Sequence, residues 1–149
     1  MATAAFNSQG TTIARESDTT PGSFVAIAEI RSFSGPGGTA AIIDATTLGS
    51  AGKEKVMGLK DEGTISLECN FSPTDTGQQA LLADRTAQLR KQFKITFSNT
   101  ATVSARATAT FYAYVTGFTV AGGVDALTTA TVTLEITDAV TWDMDGSGT

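Results

Sequence analysis

Residues 64–71 read TISLECNF, and their apolar and polar side chains alternate without interruption. Successive side chains of a β-strand point to opposite sides, so one set would face a core and the other would face away from it. The apolar set is Ile65, Leu67, Cys69 and Phe71. The segment therefore predicts a half-buried strand and indicates a β protein.

The same alternation recurs in three later segments, at residues 93–97, 108–120 and 128–137. In the longest of them, a glycine at position 117 predicts a bulge or bend, because glycine inside a strand often marks one. Two earlier strands are expected at residues 24–33 and 39–47, separated by a Gly-Pro-Gly-Gly turn.

One helix is expected at residues 76–88, where Thr76 and Gln79 have the spacing of a capping box. Leu81, Leu82 and Leu89 would attach this short helix to the sheet. The resulting fold class is mainly β: an antiparallel β-sandwich or partly open barrel of about six to seven strands with one flanking α-helix.

The chain has 149 residues, a length typical of one domain, and the whole of it, 1–149, is expected to form a single unit. Residues 1–22 are polar and rich in threonine, which predicts an N-terminal arm. Residues 48–62 show neither a helical nor a strand period and are expected to form a long loop. Residues 143–149 are expected to form a polar C-terminal tail.

Composition excludes several classes of function. The formal net charge is −5 and the isoelectric point is about 4.5, whereas nucleic-acid-binding domains usually lie above about 9. There is no histidine, which removes histidine-based catalytic triads and histidine-ligated metal sites. Cys69 is the only cysteine, so no intramolecular disulfide can form. The N-terminus has no signal-peptide pattern, and the chain is expected to be made in a reducing cytoplasm without a membrane span.

No segment carries a convincing catalytic, metal or cofactor motif. The sequence Asp143-x-Asp145-Gly146 begins like a calcium loop, but the chain ends before the remaining ligands. The strand acids that could converge are Glu29, Asp44, Glu68 and Glu135. Nothing in their spacing selects a catalytic pair, and a solvated sheet face is the ordinary explanation. We therefore expect no enzyme activity, no metal and no cofactor.

The strands offer a different indication, which is assembly through sheet edges. Their outer faces carry few charges and are rich in threonine, and none of the three prolines interrupts a predicted strand. Monomeric β proteins usually protect edge strands with lysine or proline. The pattern is typical of chains that pair edge to edge, although ordinary sandwiches also contain such strands.

The chain also carries a series of short segments in a characteristic order. They are GTT at 10–12, VAIAEI at 25–30, GPGG at 35–38, IDATT at 43–47, GLKDEG at 58–63, DTGQQALL at 75–82, YVTGF at 114–118, GVD at 123–125 and ATVTLEIT at 130–137. No single segment is diagnostic, but their order over nearly the whole chain resembles the major tail tube proteins of long-tailed bacteriophages. Such proteins are similar in fold to the tube protein of type VI secretion.

The resemblance implies a structural virion protein that assembles into stacked hexameric rings. The rings would form a hollow tail tube through which DNA passes into the host. The strands at residues 39–47 and 64–71 would then belong to the sheet that lines the lumen. The expected lumen-facing residues are Asp44, Ser66, Glu68, Asn70 and Glu135. The expected inter-ring loop residues are Leu48, Lys53, Glu54, Lys55, Met57, Lys60, Asp61 and Glu62.

The resemblance also implies partners and a location. The chain would bind copies of itself, and would meet tape-measure, tail-tip and tail-terminator proteins, with DNA only as passing cargo. It would reside in the virion tail after assembly in the bacterial host cytoplasm. Two alternatives remain open at this point. One is a tail terminator or a type VI-like tube subunit, and the other is a β-sandwich module that binds carbohydrate or acts as an adhesin.

Overall fold

A computed structural model describes residues 5–146, and it contains one helix and nine strands within that range. The elements are β1 (Thr12–Glu16), β2 (Phe24–Ala26), β3 (Ile30–Ser34), β4 (Thr39–Asp44), β5 (Lys55–Asp61), β6 (Thr64–Asn70), α1 (Thr76–Ala87), β7 (Arg90–Thr96), a 3₁₀ turn (Val103–Ala105), β8 (Thr108–Ala121) and β9 (Thr129–Asp143). The mainly β class with one flanking helix is confirmed.

Seven strands form one antiparallel sheet in the order β2-β1-β7-β8-β9-β6-β3. In a flat sheet, β7 and β3 would lie about 19 Å apart, because neighbouring strands are spaced by about 4.8 Å. Instead, the rings of Phe33 in β3 and Phe97 just after β7 are 6.2 Å apart. The sheet therefore curls over its own core, but it does not close into a barrel.

Two long strands make the curl possible. The pairing of β8 with β9 shifts register between Thr110 and Tyr112 and again between Val115 and Gly117, which confirms the predicted irregularity at Gly117. Such bulges bend a strand and increase its twist. Residues 108–114 of β8 pair with β7, whereas residues 129–135 of β9 pair with β6. The same two strands thus serve both halves of the curled sheet.

One half of the sheet has two open edges and a polar outer face, and we call it the four-strand layer. It consists of β3, β6, residues 129–135 of β9 and residues 116–121 of β8. The core lies between this layer, the other half of the sheet and α1. Its fully buried side chains include Ile65, Leu67, Leu134, Val132, Phe93, Phe111 and Leu81.

The helix begins and ends with recognisable caps, although the first one differs from the prediction. Asp75 is the N-cap, and its carboxylate accepts a hydrogen bond from the backbone N–H of Gln78 at 2.9 Å. Gln79 donates its side-chain amide to the carbonyl of Pro73, so the expected Thr76–Gln79 capping box does not form. A carboxylate is as good an N-cap acceptor as a hydroxyl, and Asp75 lies one residue earlier in the chain.

Only one of the three leucines expected to attach the helix does so. Leu81 is fully buried, whereas Leu82 and Leu89 are almost half exposed. The helix ends at Ala87 and Gln88 adopts the left-handed conformation, so Leu89 lies beyond the helical face that contacts the sheet. The expected docking role of Leu82 and Leu89 within this chain is wrong.

The early strands also differ from their predicted bounds. The strand expected at residues 24–33 is divided into β2 and β3, because Glu29 adopts a positive φ of 66° and turns the chain. The arm expected at residues 1–22 is wrong for residues 12–16, which form β1 between β2 and β7. Ile13 of β1 contributes to the core, and this burial holds the segment in the sheet.

The loop expected at residues 48–62 is wrong in its second half, where β5 pairs with β4 as a separate two-stranded sheet. Neither face of β5 is buried against the body, so no alternation of polar and apolar residues marks it as a strand. At the C-terminus β9 extends to Asp143, and residues 147–149 of the expected tail lie outside the described range.

Candidate functional site

Within residues 5–146, the β4–β5 hairpin exposes six large apolar side chains, more than any other element. Ile42 is paired with Met57 on one face, and Ile43 is paired with Val56 on the other, and each of these side chains is more than half exposed. Leu59 and Leu48 are almost completely exposed. An isolated two-stranded hairpin is at best marginally stable in water. Large apolar side chains exposed on both faces of a hairpin are typical of a protein interface.

The root of the hairpin is built from glycines that let two backbones touch. A Cβ atom on Gly38 would lie 1.8 Å from the carbonyl oxygen of Asp61, and one on Gly63 would lie 2.5 Å from that of Gly37. No other residue fits at either position without moving the backbone. The hairpin therefore leaves the body through a narrow crossing next to the ends of β3 and β6.

The tip of the hairpin, residues 45–54, is ordered by its own hydrogen bonds. The backbone N–H of Ala45 donates to the carbonyl of Glu54 at 2.9 Å, and that of Glu54 donates to Thr46 Oγ1 at 2.8 Å. Hydrogen bonds from the side chain and backbone of Thr46 lower the pKa of Asp44. The tip thus holds Leu48 in a defined position in solvent before any partner binds.

The outer face of the four-strand layer is polar. It carries Ser32, Ser34, Ser66, Glu68, Asn70, Thr129, Thr131, Thr133, Glu135 and Thr119. Within this set only Glu68 and Glu135 are charged, and both are acidic. Ser32 donates its hydroxyl to Glu68 at 3.1 Å, which ties β3 to β6 across this face. These residues therefore present a hydroxyl-rich surface on which the charges are acidic.

The two edges of the four-strand layer are open. Within residues 5–146, β3 pairs only with β6, and residues 116–121 of β8 pair only with β9. Each consecutive pair in the layer is antiparallel, so β3 runs opposite to β8. Unpaired edges of this kind are templates for pairing with another chain.

A cavity of about 670 Å³ lies along the open edge of β8, between that strand and α1. Its lining includes Arg85 and Gln88 from the helix side, and Tyr114 and Thr116 from the strand. The half-exposed Leu82 lies in a smaller apolar cavity nearby, next to Phe118. An added strand at this edge would therefore meet apolar and polar groups of α1 in addition to backbone groups.

A buried ion pair fixes β1 to the helix. Arg15 and Asp84 are only 4% and 2% exposed, and the guanidinium donates to both carboxylate oxygens, with Nη2 to Oδ1 at 2.6 Å. The hydrogen bonds that Arg15 donates to Asp84, followed by those that it donates to Asp18, raise the pKa of Arg15. Asp18 also accepts from Lys91 at 2.7 Å. This network is a structural brace and lies away from the outer face of the four-strand layer.

The structure brings together four of the five residues expected to face a lumen. Ser66, Glu68 and Asn70 share one face of β6, and Glu135 lies on the same face of β9, opposite Thr64. Asp44 is separate, because β4 belongs to the hairpin and not to the sheet that contains β6. The expectation that residues 39–47 and 64–71 belong to one sheet is therefore wrong for this chain.

The residues expected in an inter-ring loop all lie on the hairpin or at its root. The tip carries Leu48, Lys53 and Glu54, β5 carries Lys55, Met57, Lys60 and Asp61, and Glu62 follows at the crossing. All except Glu62 are exposed. Their role stays a prediction, but the hairpin gives them a common and accessible location.

The side chains of the described range that bear on metal or thiol chemistry are its carboxylates and Cys69. Residues 5–146 contain no group of three or more side chains that could hold a metal ion. The thiol of Cys69 is buried on the core face of β6, and this burial raises its pKa. The single helix of the described range falls well short of the length and hydrophobicity needed to span a membrane.

Sequence reasoning predicted pairing through sheet edges but did not identify which edges are open, and it missed the Arg15–Asp84 pair and the apolar surface of the hairpin. The edges depend on strand order, which no local pattern reveals. The ion pair joins residues that are 69 positions apart. The hairpin did leave one signal: Val56, Met57 and Leu59 are apolar residues inside a segment that otherwise resembles a polar loop.

One comparison with known proteins identifies a family. The family model described as phage tail tube, TTP, lambda-like, matches residues 4–145. A comparison with curated protein sequences finds no significant match.

Solved structures support the same fold at low sequence identity. A structure of the SPP1 tail tube has a TM-score of 0.70 and 13% identity, covering 95% of this chain and 82% of its own. The helically refined tail of a gene transfer agent particle, with C6 symmetry, has a TM-score of 0.70 and 19% identity, and the match covers 93% of this chain and 99% of that one. The tube-terminating cap of the anti-feeding prophage has a TM-score of 0.71 and 16% identity, and the match covers 97% of this chain and 94% of that one.

Proposed function

This chain belongs to the lambda-like phage tail tube family, and from that premise we propose that copies of it close into hexameric rings that stack into a hollow tube for DNA. A structural tube subunit is the function that the family match supports directly. The proposal of a ring rests on the two open, oppositely directed edges of the four-strand layer. The proposal of stacking rests on the exposed hairpin.

Strand direction explains how a ring can close. In a ring whose axis runs roughly along the strands, every copy keeps the same strand direction. The edge of β8 in one copy then meets β3 of the next copy as an antiparallel neighbour, because the two strands run in opposite directions within the layer. This interface is heterologous, and such interfaces generate rings when the rotation closes.

The expected lumen is wide. Four strands from each of six copies give a continuous wall of about 24 strands, more than the roughly 16–18 strands of porins, which already enclose water. At about 4.8 Å per strand, opposite backbones would be roughly 37 Å apart before strand tilt is included. The wall would present the hydroxyl-rich outer face, with Ser66, Glu68, Asn70 and Glu135 in the lumen.

The charge of that wall suits a passage and not a binding site. Proteins hold DNA by placing lysine and arginine against phosphates. The outer face of the four-strand layer instead offers Glu68 and Glu135, which repel phosphate, and hydroxyl groups, which remain hydrated. Asp44 would lie outside this wall, on the hairpin.

Stacking is assigned to the hairpin and to the N-terminal residues before β1. The paired residues Ile42 with Met57 and Ile43 with Val56 would be buried between rings. Full burial of one such side chain contributes about 1.5–3 kcal/mol, so a few of them suffice to hold adjacent rings. The residues at positions 48, 53–55, 57 and 60–62 would form this contact.

The remaining parts of the proposal follow from the tube. The subunit is non-enzymatic and acts in the virion tail after assembly in the host cytoplasm. Its partners are further copies of itself, together with tape-measure, tail-tip and tail-terminator proteins. A terminator role is the second candidate, because the fold also matches a tube-terminating cap. A terminator would form single rings that do not stack.

Negative-stain electron microscopy of concentrated protein tests the proposal, with two variants that separate its parts. In the first variant, Gly-Gly replaces residues 39–61, a gap that is easy to bridge because Gly38 touches Asp61 and Glu62. We expect folded rings without tubes. In the second, Val120→Lys places a charge on the core side of the open β8 edge, and we expect neither rings nor tubes.

Ala101→Lys, in an exposed loop, is the matched control and should assemble like the wild type. Hollow tubes of uniform width from the wild type would support the tube. Wild-type rings that never stack would favour the terminator. Normal tubes from the hairpin replacement would contradict the assigned stacking role, and normal rings from Val120→Lys would contradict the edge pairing.

A further inference from the structure

An open groove of about 460 Å³ lies beside the turn that joins β8 to β9, at residues 122–128. Its lining includes Gly122, Ala126 and Leu127 of the turn and Arg31 of β3. Leu127 is 71% exposed, so the groove offers apolar surface to solvent. We call it the turn groove.

The turn groove and the hairpin lie at opposite ends of the four-strand layer. The hairpin lies between Ser34 and Thr64, at the end where β6 begins. The turn follows Ala121 and precedes Thr129, which is opposite Asn70 at the other end of β6. These ends are about 20 Å apart along a seven-residue strand. When copies stack along the strands, the hairpin of one copy therefore approaches the turn groove of the next.

The two features have complementary chemistry. The hairpin tip presents Leu48 fully exposed, followed by Lys53 and Glu54. The groove region presents apolar side chains with Arg31 and with Asp125 of the same turn. Within residues 5–146, Arg31 makes no ion pair. An acid and a base on each side allow Glu54 to meet Arg31 and Lys53 to meet Asp125.

The tip is also pre-organised for docking. The hydrogen bonds of Ala45 and Glu54, and that of the Thr47 backbone N–H with Ser50 Oγ at 3.0 Å, hold the residues on both sides of Leu48. A loop that is already ordered loses less conformational entropy when it binds.

We propose that the turn groove is the receptor for the hairpin tip of a second copy in the adjacent ring, with Leu48 against Ala126 and Leu127. The inference rests on the proposed stacking and identifies its receiving surface. Each copy has one tip and one groove, so every ring offers the same contact to the next. A heterologous contact of this kind does not close on itself and generates an extended filament.

Disulfide trapping tests the contact. The variant Leu48→Cys/Ala126→Cys is assembled, oxidised mildly and run on a non-reducing gel. Because each chain gives one bond and receives one, we expect a ladder of dimers, trimers and longer species. Each single-cysteine variant should lose the ladder. The pair Leu48→Cys/Ala101→Cys is the matched control, and the buried Cys69 should stay silent.

Tubes that form without a ladder from Leu48→Cys/Ala126→Cys would overturn the groove assignment and leave the proposed function intact. A second measurement needs no substitution: hydrogen exchange of wild-type tubes should show new protection at residues 45–54 and at residues 122–128. Protection of the tip without protection of the turn would also overturn the assignment. A wild type that forms no stacked rings would refute the stacking itself, and the receptor with it.

Discussion

Removing the carboxylate of Asp84 should be among the most destabilising single changes in this chain. Asp84 and Arg15 are 2% and 4% exposed and share two hydrogen bonds, so neither charge has water available as a substitute partner. In Asp84→Ala the guanidinium of Arg15 would stay buried, with only Asp18 and the carbonyl of Glu16 as acceptors. Such a loss costs about 3–5 kcal/mol.

That cost is a large part of the total free energy of unfolding, which is about 5–15 kcal/mol for a domain of ordinary stability. For a chain of this length, it corresponds to a fall in Tm of about 10–15 °C. The assay is urea unfolding of unassembled subunits, followed by the fluorescence of Trp142. We expect a lower midpoint with an unchanged m-value, because the folded state keeps its compactness.

The double variant Arg15→Met/Asp84→Leu is the matched control. It removes both charges and fills the space with apolar side chains, so it should recover most of the lost stability, because the desolvation cost of the pair disappears as well. A loss below about 1 kcal/mol in Asp84→Ala would refute the reasoning. It would mean that water reaches Arg15 in the folded subunit.

Three further outcomes follow from the packing and the charges. Leu134→Ala should lower the free energy of unfolding in urea by about 2–5 kcal/mol, because the Leu134 side chain is fully buried. Leu82→Ala, at a half-exposed position, should lower it by under about 1 kcal/mol. Equal losses in the two variants would contradict the core assignment. Native subunits should react with a thiol reagent many-fold more slowly than urea-unfolded chains, because Cys69 is buried and its pKa is raised; equal rates would show that β6 is open. Hydrogen bonds from Lys91 and Arg15 lower the pKa of Asp18 below its ordinary value of 3.8, so its carboxylate stabilises the fold above that value and the contribution is lost as the pH falls through the lowered pKa. Asp18→Asn should therefore cost under about 1 kcal/mol at pH 7, and the difference from the wild type should shrink as the pH falls through the lowered pKa; a difference that grows with acid would contradict this sign.

The sequence predicted the parts of the fold that rest on local patterns. The alternation in residues 64–71 identified β6 and the burial of Ile65, Leu67 and Cys69. A strand shows this alternation of apolar and polar residues only when one of its faces is buried. β5 has no buried face within the chain, and it was therefore expected as a loop.

The candidate surfaces were less predictable, because they depend on distant parts of the chain. Ser66, Glu68 and Asn70 were placed on one face from their spacing alone, and Glu135, which was also expected near them, lies beside them through the pairing of β6 with β9. The expected grouping with Asp44 was wrong, because strand order assigns β4 to another sheet. The buried pair of Arg15 and Asp84 was missed for the same reason: residues 12–16 were expected in an arm.

The irregularity of β8 at Val115 and Gly117 bears on how many copies a ring contains. Antiparallel pairing of β3 with β8 satisfies the backbone hydrogen bonds equally well in rings of five, six or seven copies. Hydrogen bonding alone therefore does not determine the number of copies in a ring. The count must come from the angle between neighbouring copies. In the proposed ring, the bulge between Val115 and Gly117 would contribute to that angle, because it bends β8 where its open edge begins. In the proposed tube, a change of a few degrees at this bulge would therefore be expected to alter the diameter of every ring.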